Sequence, residues 1–112
     1  MAPKMTLQTQ MVLRLLLDDP SKEWYGLELG QRSGLPSGTI HPITVRLENL
    51  GWLESRWEDV DPRAEKRPRR RYYRLTRDGA LQARQALARA HQSKSSPTLV
   101  GQWKLGLADG AQ

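Results

Sequence analysis

Between Thr6 and Asp18 the chain places Leu7, Met11, Val12, Leu13, Leu15, Leu16 and Leu17, too many apolar side chains for a helix with one broad polar face. A helix here is expected to be buried on two sides, one against its own core and the other against a second partner such as another subunit. Pro20 restricts Asp19 away from helical geometry and ends it. A short second helix is predicted from Gly26 to Ser33, with Leu27 and Leu29 facing inward and Gly34 closing it in the left-handed region. Leu35-Pro36 is then a tight turn. Ser37 or Thr39 can cap a third helix running to Leu50, in which Ile40, Ile43, Leu47 and Leu50 keep the i, i+3, i+7, i+10 spacing of one apolar face. Pro42 lies about one turn in, where a missing N–H costs little, and Gly51 stops this helix as Gly34 stops the one before.

After Gly51 the period becomes two, with Leu53, Ser55 and Trp57 on one side and Trp52, Glu54, Arg56 and Glu58 on the other, which predicts a strand. Asp59 to Pro68, with two prolines and mixed charges, reads as an exposed loop, and Arg70 to Leu75 as the returning strand of a hairpin. Thr76 can cap a last helix with Asp78 in its first turn, and Ala80, Ala83, Leu87 and Ala90 form a small-residue stripe along it. Ser93 to Pro97 breaks the pattern. Two segments follow: a domain over residues 1–93, and a tail over 94–112 that can dock through Leu99, Val100, Trp103 and Leu105. Trp24, Trp52 and Trp57 are expected to pack near helix and strand ends.

At 112 residues this is one domain with a modest core. The formal charge is +6, but it is distributed unevenly: residues 1–62 hold six Lys or Arg against nine Asp or Glu, and residues 63–93 hold ten against two. An Arg-rich composition alone, with 13 Arg and 5 Lys, does not explain that clustering. A local basic patch on a mildly acidic body points to a polyanionic partner. The absence of cysteine excludes disulfides and thiolate metal sites, and no apolar run approaches the roughly 20 residues of a membrane span. No signal-peptide pattern opens the chain, so a cytoplasmic location is expected. Without a phosphate-cradling glycine loop or metal-spaced ligands, and with two histidines 50 residues apart, neither an enzyme nor a cofactor is expected.

The predicted class is mainly α with a small β-hairpin. Helix, helix, tight turn, helix, hairpin and closing helix is the order of a winged helix-turn-helix, whose third helix enters the major groove of DNA while the hairpin tip lies along the backbone or in the minor groove. Three stretches sharpen this: Ser37-Gly38-Thr39-Ile40-His41-Pro42, then Arg46-Leu47-Glu48 with Leu50-Gly51-Trp52-Leu53-Glu54-Ser55, then Arg69-Arg70-Arg71-Tyr72-Tyr73-Arg74-Leu75-Thr76-Arg77-Asp78-Gly79. With Tyr25-Gly26-Leu27-Glu28-Leu29 before them, they resemble the PadR-like transcriptional regulators over residues 7–92. The resemblance implies a dimeric repressor on an inverted-repeat operator, sometimes released by a small aromatic ligand. The sequence departs from that family at His41, where Tyr is usual, near Thr44, where Leu is usual, and near Val45, where a basic residue is usual. It also has little counterpart to the family's C-terminal dimerisation helices. A homodimer would therefore rest on Leu7, Met11 and Leu15 of the first helix, on Ala83, Leu87 and Ala90 of the last, and on the tail.

Residue roles on double-stranded DNA follow. Ser37 and Thr39 at a helix start can donate to phosphate, and His41, Thr44 and Val45 are expected to reach base edges. His41 can equally be a solvated or capping histidine. Arg46 can clamp phosphate or pair with Glu48 or Glu28. Arg63, Lys66, Arg67, Arg69 and Arg70 form the wing, where one arginine can enter a narrow minor groove. Arg71 and Arg74 alternate in facing, so at most one meets the groove. Tyr73 and Leu75 are expected in the core, and Tyr72 either covers the core or touches phosphate. The alternative function is a protein-interaction module whose basic patch meets an acidic partner.

Overall fold

The computed structural model describes residues 3–94. Helix α1 spans Leu7–Asp18, strand β1 Trp24–Tyr25, helix α2 Gly26–Ser33, helix α3 Ser37–Asn49, strand β2 Leu53–Trp57, helix α4 Pro62–Glu65, strand β3 Arg71–Leu75 and helix α5 Arg77–Lys94. Thr6 caps α1 by accepting a hydrogen bond from the Thr9 amide at 3.2 Å. The side of α1 that carries Thr9, Val12, Leu13 and Leu16 is buried, whereas Leu7 is 57% exposed and Met11 half-buried. α2 closes on Gly34 at φ 77°, as its position in the sequence predicts. Its inward residue is Leu29, fully buried, and the expectation for Leu27 is overturned, because that side chain is 63% exposed. One helical turn cannot bury two leucines only two positions apart.

α3 ends in a double closure in which the Gly51 amide donates to Glu48 C=O and the Trp52 amide to Leu47 C=O, with Gly51 at φ 79°. Its start differs from expectation: Pro36 is the N-cap, and neither Ser37 nor Thr39 caps with its side chain. Because the helix begins at Ser37, Pro42 is its sixth residue and denies Gly38 C=O its ladder donor.

The hairpin is part of a three-stranded antiparallel sheet in the order β1-β3-β2, with Trp24 opposite Tyr73 and Leu53 opposite Leu75. A two-residue strand is too short to show a period, which is why β1 escapes the sequence pattern. Inside the predicted loop, Asp61 accepts from the Arg63 amide at 3.0 Å and starts the single turn α4. Thr76 does cap α5, accepting from the Gly79 amide at 2.8 Å while its hydroxyl donates to Gly51 C=O. Gly79 is required there, since a Cβ on it would lie 2.1 Å from the Trp52 carbonyl oxygen.

The core gathers Val12, Leu13, Leu16, Trp24, Leu29, Ile40, Ile43, Leu47, Trp52, Leu53, Tyr73, Leu75, Ala80, Ala83 and Ala86. Trp24 and Trp52 pack as expected, but Trp57 is 58% exposed. The small-residue stripe of α5 faces inward: Ala83 is fully buried within its own chain, so it cannot belong to a dimer surface. Leu15 and Leu87 are partly buried against the same core, and Ala90 is half-buried. α5 runs through Ser93 to Lys94, past the expected break, and the predicted tail beyond Lys94 lies outside the described residues. Among the described residues no helix is long and apolar enough to cross a membrane.

Candidate nucleic-acid interface

At about 100° per residue, the buried Ile40, Ile43, Thr44 and Leu47 fix the inner face of α3. The opposite face is then centred on Gly38, Pro42, Val45 and Asn49, with His41 at one edge and Arg46 at the other. All six are exposed. Ser37 is exposed and Thr39 half-buried at the helix start. The expectation that Thr44 reads bases is overturned: it is 1% exposed, and its hydroxyl donates to His41 C=O at 2.9 Å. The spacing held the signal, because Thr44 lies four residues after Ile40 and three before Leu47, on the apolar stripe. Asn49, Gly38 and Pro42 are the outward residues that sequence reasoning missed, and the same spacing would have found them.

Arg46 makes none of the ion pairs among the described residues. Its two candidate partners are engaged elsewhere. Glu28 binds Lys22 at 2.9 Å, and Glu48 accepts from the Ser55 hydroxyl and pairs with Arg71 at 3.6 Å.

The basic run divides into cations with carboxylate partners and cations without. Arg67 was expected to contact DNA, yet its guanidinium grips Glu58 through two hydrogen bonds of 2.7 and 3.0 Å and approaches Glu65 at 3.6 Å. Glu58 also accepts from the Arg70 amide at 3.1 Å and donates its own amide to Arg70 C=O at 2.8 Å, closing the neck of the 59–69 loop. Hydrogen bonding from Arg67, reinforced by the Arg70 amide, pulls the Glu58 carboxyl down to about 2. Arg70 lies over the Tyr25 ring at 4.4 Å, and Arg71 over Trp57 at 4.9 Å. Arg74 pairs with Glu54 at 2.7 Å. Glu23 holds Arg56 bidentately at 2.7 and 2.8 Å, and that hydrogen bonding lowers the pKa of the Glu23 carboxyl. Tyr72, edge-on to Tyr25 with centroids 6.0 Å apart and covered by Arg56 at 5.1 Å, belongs to this outer sheet face.

What remains outward and uncompensated in the wing is Arg63, Lys66 and Arg69. Arg69 donates to the Val60 carbonyl at 2.9 Å, which fixes its stem without neutralising it. Lys66 takes the left-handed conformation, φ 56°, at the end of α4, and projects at the loop's turning point.

A tightly joined α2-α3 pair, an outward α3 face and a sheet-borne wing with unpaired cations define a winged helix-turn-helix transcriptional regulator. The family model described as the PadR-like family of transcriptional regulators matches residues 12–85, and the chain belongs to that family. Its members are transcription factors, not enzymes. Among solved structures it is similar to a PadR family transcriptional regulator from Eggerthella lenta DSM 2243, with 28% identity and a TM-score of 0.59 over 79% of each chain. It is also similar to AbfR in its disulfide-formed state, with 26% identity and a TM-score of 0.61 over 84% of this chain and 62% of that one. The overoxidised AbfR bound to DNA matches with 26% identity and a TM-score of 0.61, over 80% of this chain and 60% of AbfR. The chain thus spans less than two thirds of AbfR's length. No curated protein sequence matches it.

Proposed function

We propose that the protein is a transcriptional repressor that binds an inverted-repeat operator in double-stranded DNA as a homodimer. In this reading α3 lies in the major groove, with His41, Val45 and Asn49 toward base edges and Ser37, Thr39 and Arg46 toward phosphate. Arg63, Lys66 and Arg69 hold the wing on the adjoining backbone. The observation that carries the reading is the partition of the charges: the arginines of the sheet and its neck are held by carboxylates or aromatic rings, whereas Arg46 and these three wing cations have no carboxylate partner among the described residues. For the dimer, the support is apolar surface on α1, where Leu7 is 57% exposed and Met11 half-buried.

Fluorescence anisotropy against a pool of duplexes, at several salt concentrations, tests this. One duplex should bind several kcal/mol better than the rest, and log affinity should fall steeply with log salt. Equal affinity for every duplex overturns the repressor reading. Absence of binding to any duplex returns the fold to the alternative, an interaction module for an acidic protein. Sedimentation of the full chain with a two-half-site duplex should give a 2:1 complex, and a 1:1 complex overturns the dimer.

A further inference from the structure

Glu48 stands on the outer part of α3, seven residues after His41 and therefore on the same edge of the helix. Its Oε2 accepts the Ser55 hydroxyl from β2 and pairs with Arg71 Nη2 of β3 at 3.6 Å. Arg71 in turn lies over Trp57, its cross-strand neighbour, at 4.9 Å. One carboxylate on the reading helix thus reaches both strands of the wing. Among the described residues this is the ion pair that joins α3 to the sheet.

The chemistry of the choice is informative. A carboxylate beside a surface meant for phosphate weakens binding through like-charge repulsion, and an amide or hydroxyl would serve as well for Ser55 alone. The charge is explained by Arg71. Both side chains are about one third exposed, at 35% each, so the pair contributes little to overall stability. Its mechanical consequence is larger. Leu47, Leu53 and Leu75 belong to the buried core at the base of the hairpin, while Ser55, Trp57 and Arg71 lie further toward the tip.

We infer that Glu48 is a positioning residue that sets the angle between the reading helix and the wing through Ser55 and Arg71, and so couples base readout to wing contact. The inference rests on the DNA-binding reading above. It also withdraws Arg71 from the phosphate contacts, since its charge is committed to Glu48 and its face to Trp57.

The test uses the full chain, a duplex selected by the wild type from a random pool, and an unrelated duplex of equal length. Glu48→Gln keeps an acceptor for Ser55 and removes the charge that holds Arg71. It should lower the preference for the selected duplex about tenfold with an unchanged urea midpoint, and leave affinity for the unrelated duplex the same or higher, because Arg71 is freed. Arg71→Gln should do the same, Arg71→Lys should retain most of the preference, and the double variant should be no worse than either single one. A preference within about twofold of wild type in Glu48→Gln overturns the inference. A parallel loss on both duplexes with a lowered urea midpoint also overturns it, since that is what general destabilisation gives. Failure of the DNA reading itself is distinguishable, because the wild type would then show no preference to lose.

Discussion

Lys66 and Arg67 are neighbours in one basic run, and their alanine variants should behave differently on DNA. On α3 and the wing of each protomer, four cations, Arg46, Arg63, Lys66 and Arg69, face outward without a carboxylate partner among the described residues, so a dimer would bring eight to the phosphates. At roughly 0.9 per contact, log affinity should fall against log salt with a slope of about −7, or about four decades between roughly 50 and 200 mM. Lys66→Ala removes two of the eight, flattens the slope to about −5, and leaves a fall of about three decades. Arg67 contributes nothing to that count, because its guanidinium is held by Glu58 through two hydrogen bonds and by the Pro68 carbonyl through a third. Arg67→Ala should lower affinity by a similar factor at every salt concentration, through a loosened loop, and keep the slope of the wild type. Anisotropy titration of a labelled duplex across that salt range measures both quantities. If Arg67→Ala flattens the slope as much as Lys66→Ala does, Arg67 leaves Glu58 for phosphate in the complex, and the partition of the run is refuted.

Gly79→Ala should cost about 3 kcal/mol, at the upper end for overpacking, because the new Cβ meets the rigid Trp52 backbone at 2.1, 2.6 and 2.7 Å rather than a side chain that can turn away. Urea unfolding would show the midpoint falling by about 2 M for a slope near 1.5 kcal/mol per M, and an unchanged midpoint would mean α5 packs otherwise. Thr44→Val should change stability by no more than about 1 kcal/mol and leave the preferred DNA sequence intact, whereas His41→Ala should alter that preference; selection from a random duplex pool compares them, and a shifted preference in Thr44→Val would contradict its burial. For Glu58 the carboxyl is held at about 2, against 4.5 for the free group. The folded state therefore favours the ionised form, its contribution is complete above pH 4.5, and it is lost as the pH falls from there toward 2. Protection of the 59–69 amides against hydrogen exchange, taken relative to the intrinsic rate at each pH, should fall over that acid window in the wild type, with no matching transition in Glu58→Gln, and protection that already changes between pH 6 and 8 would rule out this carboxylate as its cause.

The helices were largely legible, because each carries its own punctuation. Gly34 and Gly51 occupy the left-handed positions their places suggested, and Thr76 caps the last helix as its spacing to Gly79 allows. What failed was the assignment of faces where the local pattern is short. Leu27 and Leu29 look alike in an eight-residue helix, and only packing against α1 and α3 decides that Leu29 goes in. Thr44 differs for another reason: its polar side chain suggests an outward residue, but its spacing from Ile40 and Leu47 puts it on the apolar stripe, and it is 1% exposed. The alanine stripe of α5 allows close helix contact, and the helix it meets is α1 of the same chain rather than a partner's.

The candidate site was half legible, and the missing half lies in the partners of the arginines. Charge clustering marks residues 63–74 correctly as the wing and its strand, yet whether a given arginine is available depends on what sits across the sheet from it. The register places Glu54 opposite Arg74 and Trp57 opposite Arg71, and the closed neck brings Glu58 to Arg67 nine residues away. None of these pairings follows a helical or strand period along one segment, so no window of sequence contains them. The acidic residues of the first half, which made the body look merely anionic, are the ones that bind Arg56, Arg67, Arg71 and Arg74. Three of the ten cations in residues 63–93, Arg67, Arg71 and Arg74, are thereby held by carboxylates within the wing and its strand, and Arg69, left outward, is fixed by its hydrogen bond to the Val60 carbonyl. That suits selective recognition better than a loose cationic loop would, because a contact held in place distinguishes one phosphate position from the next, while a flexible one accepts any of them.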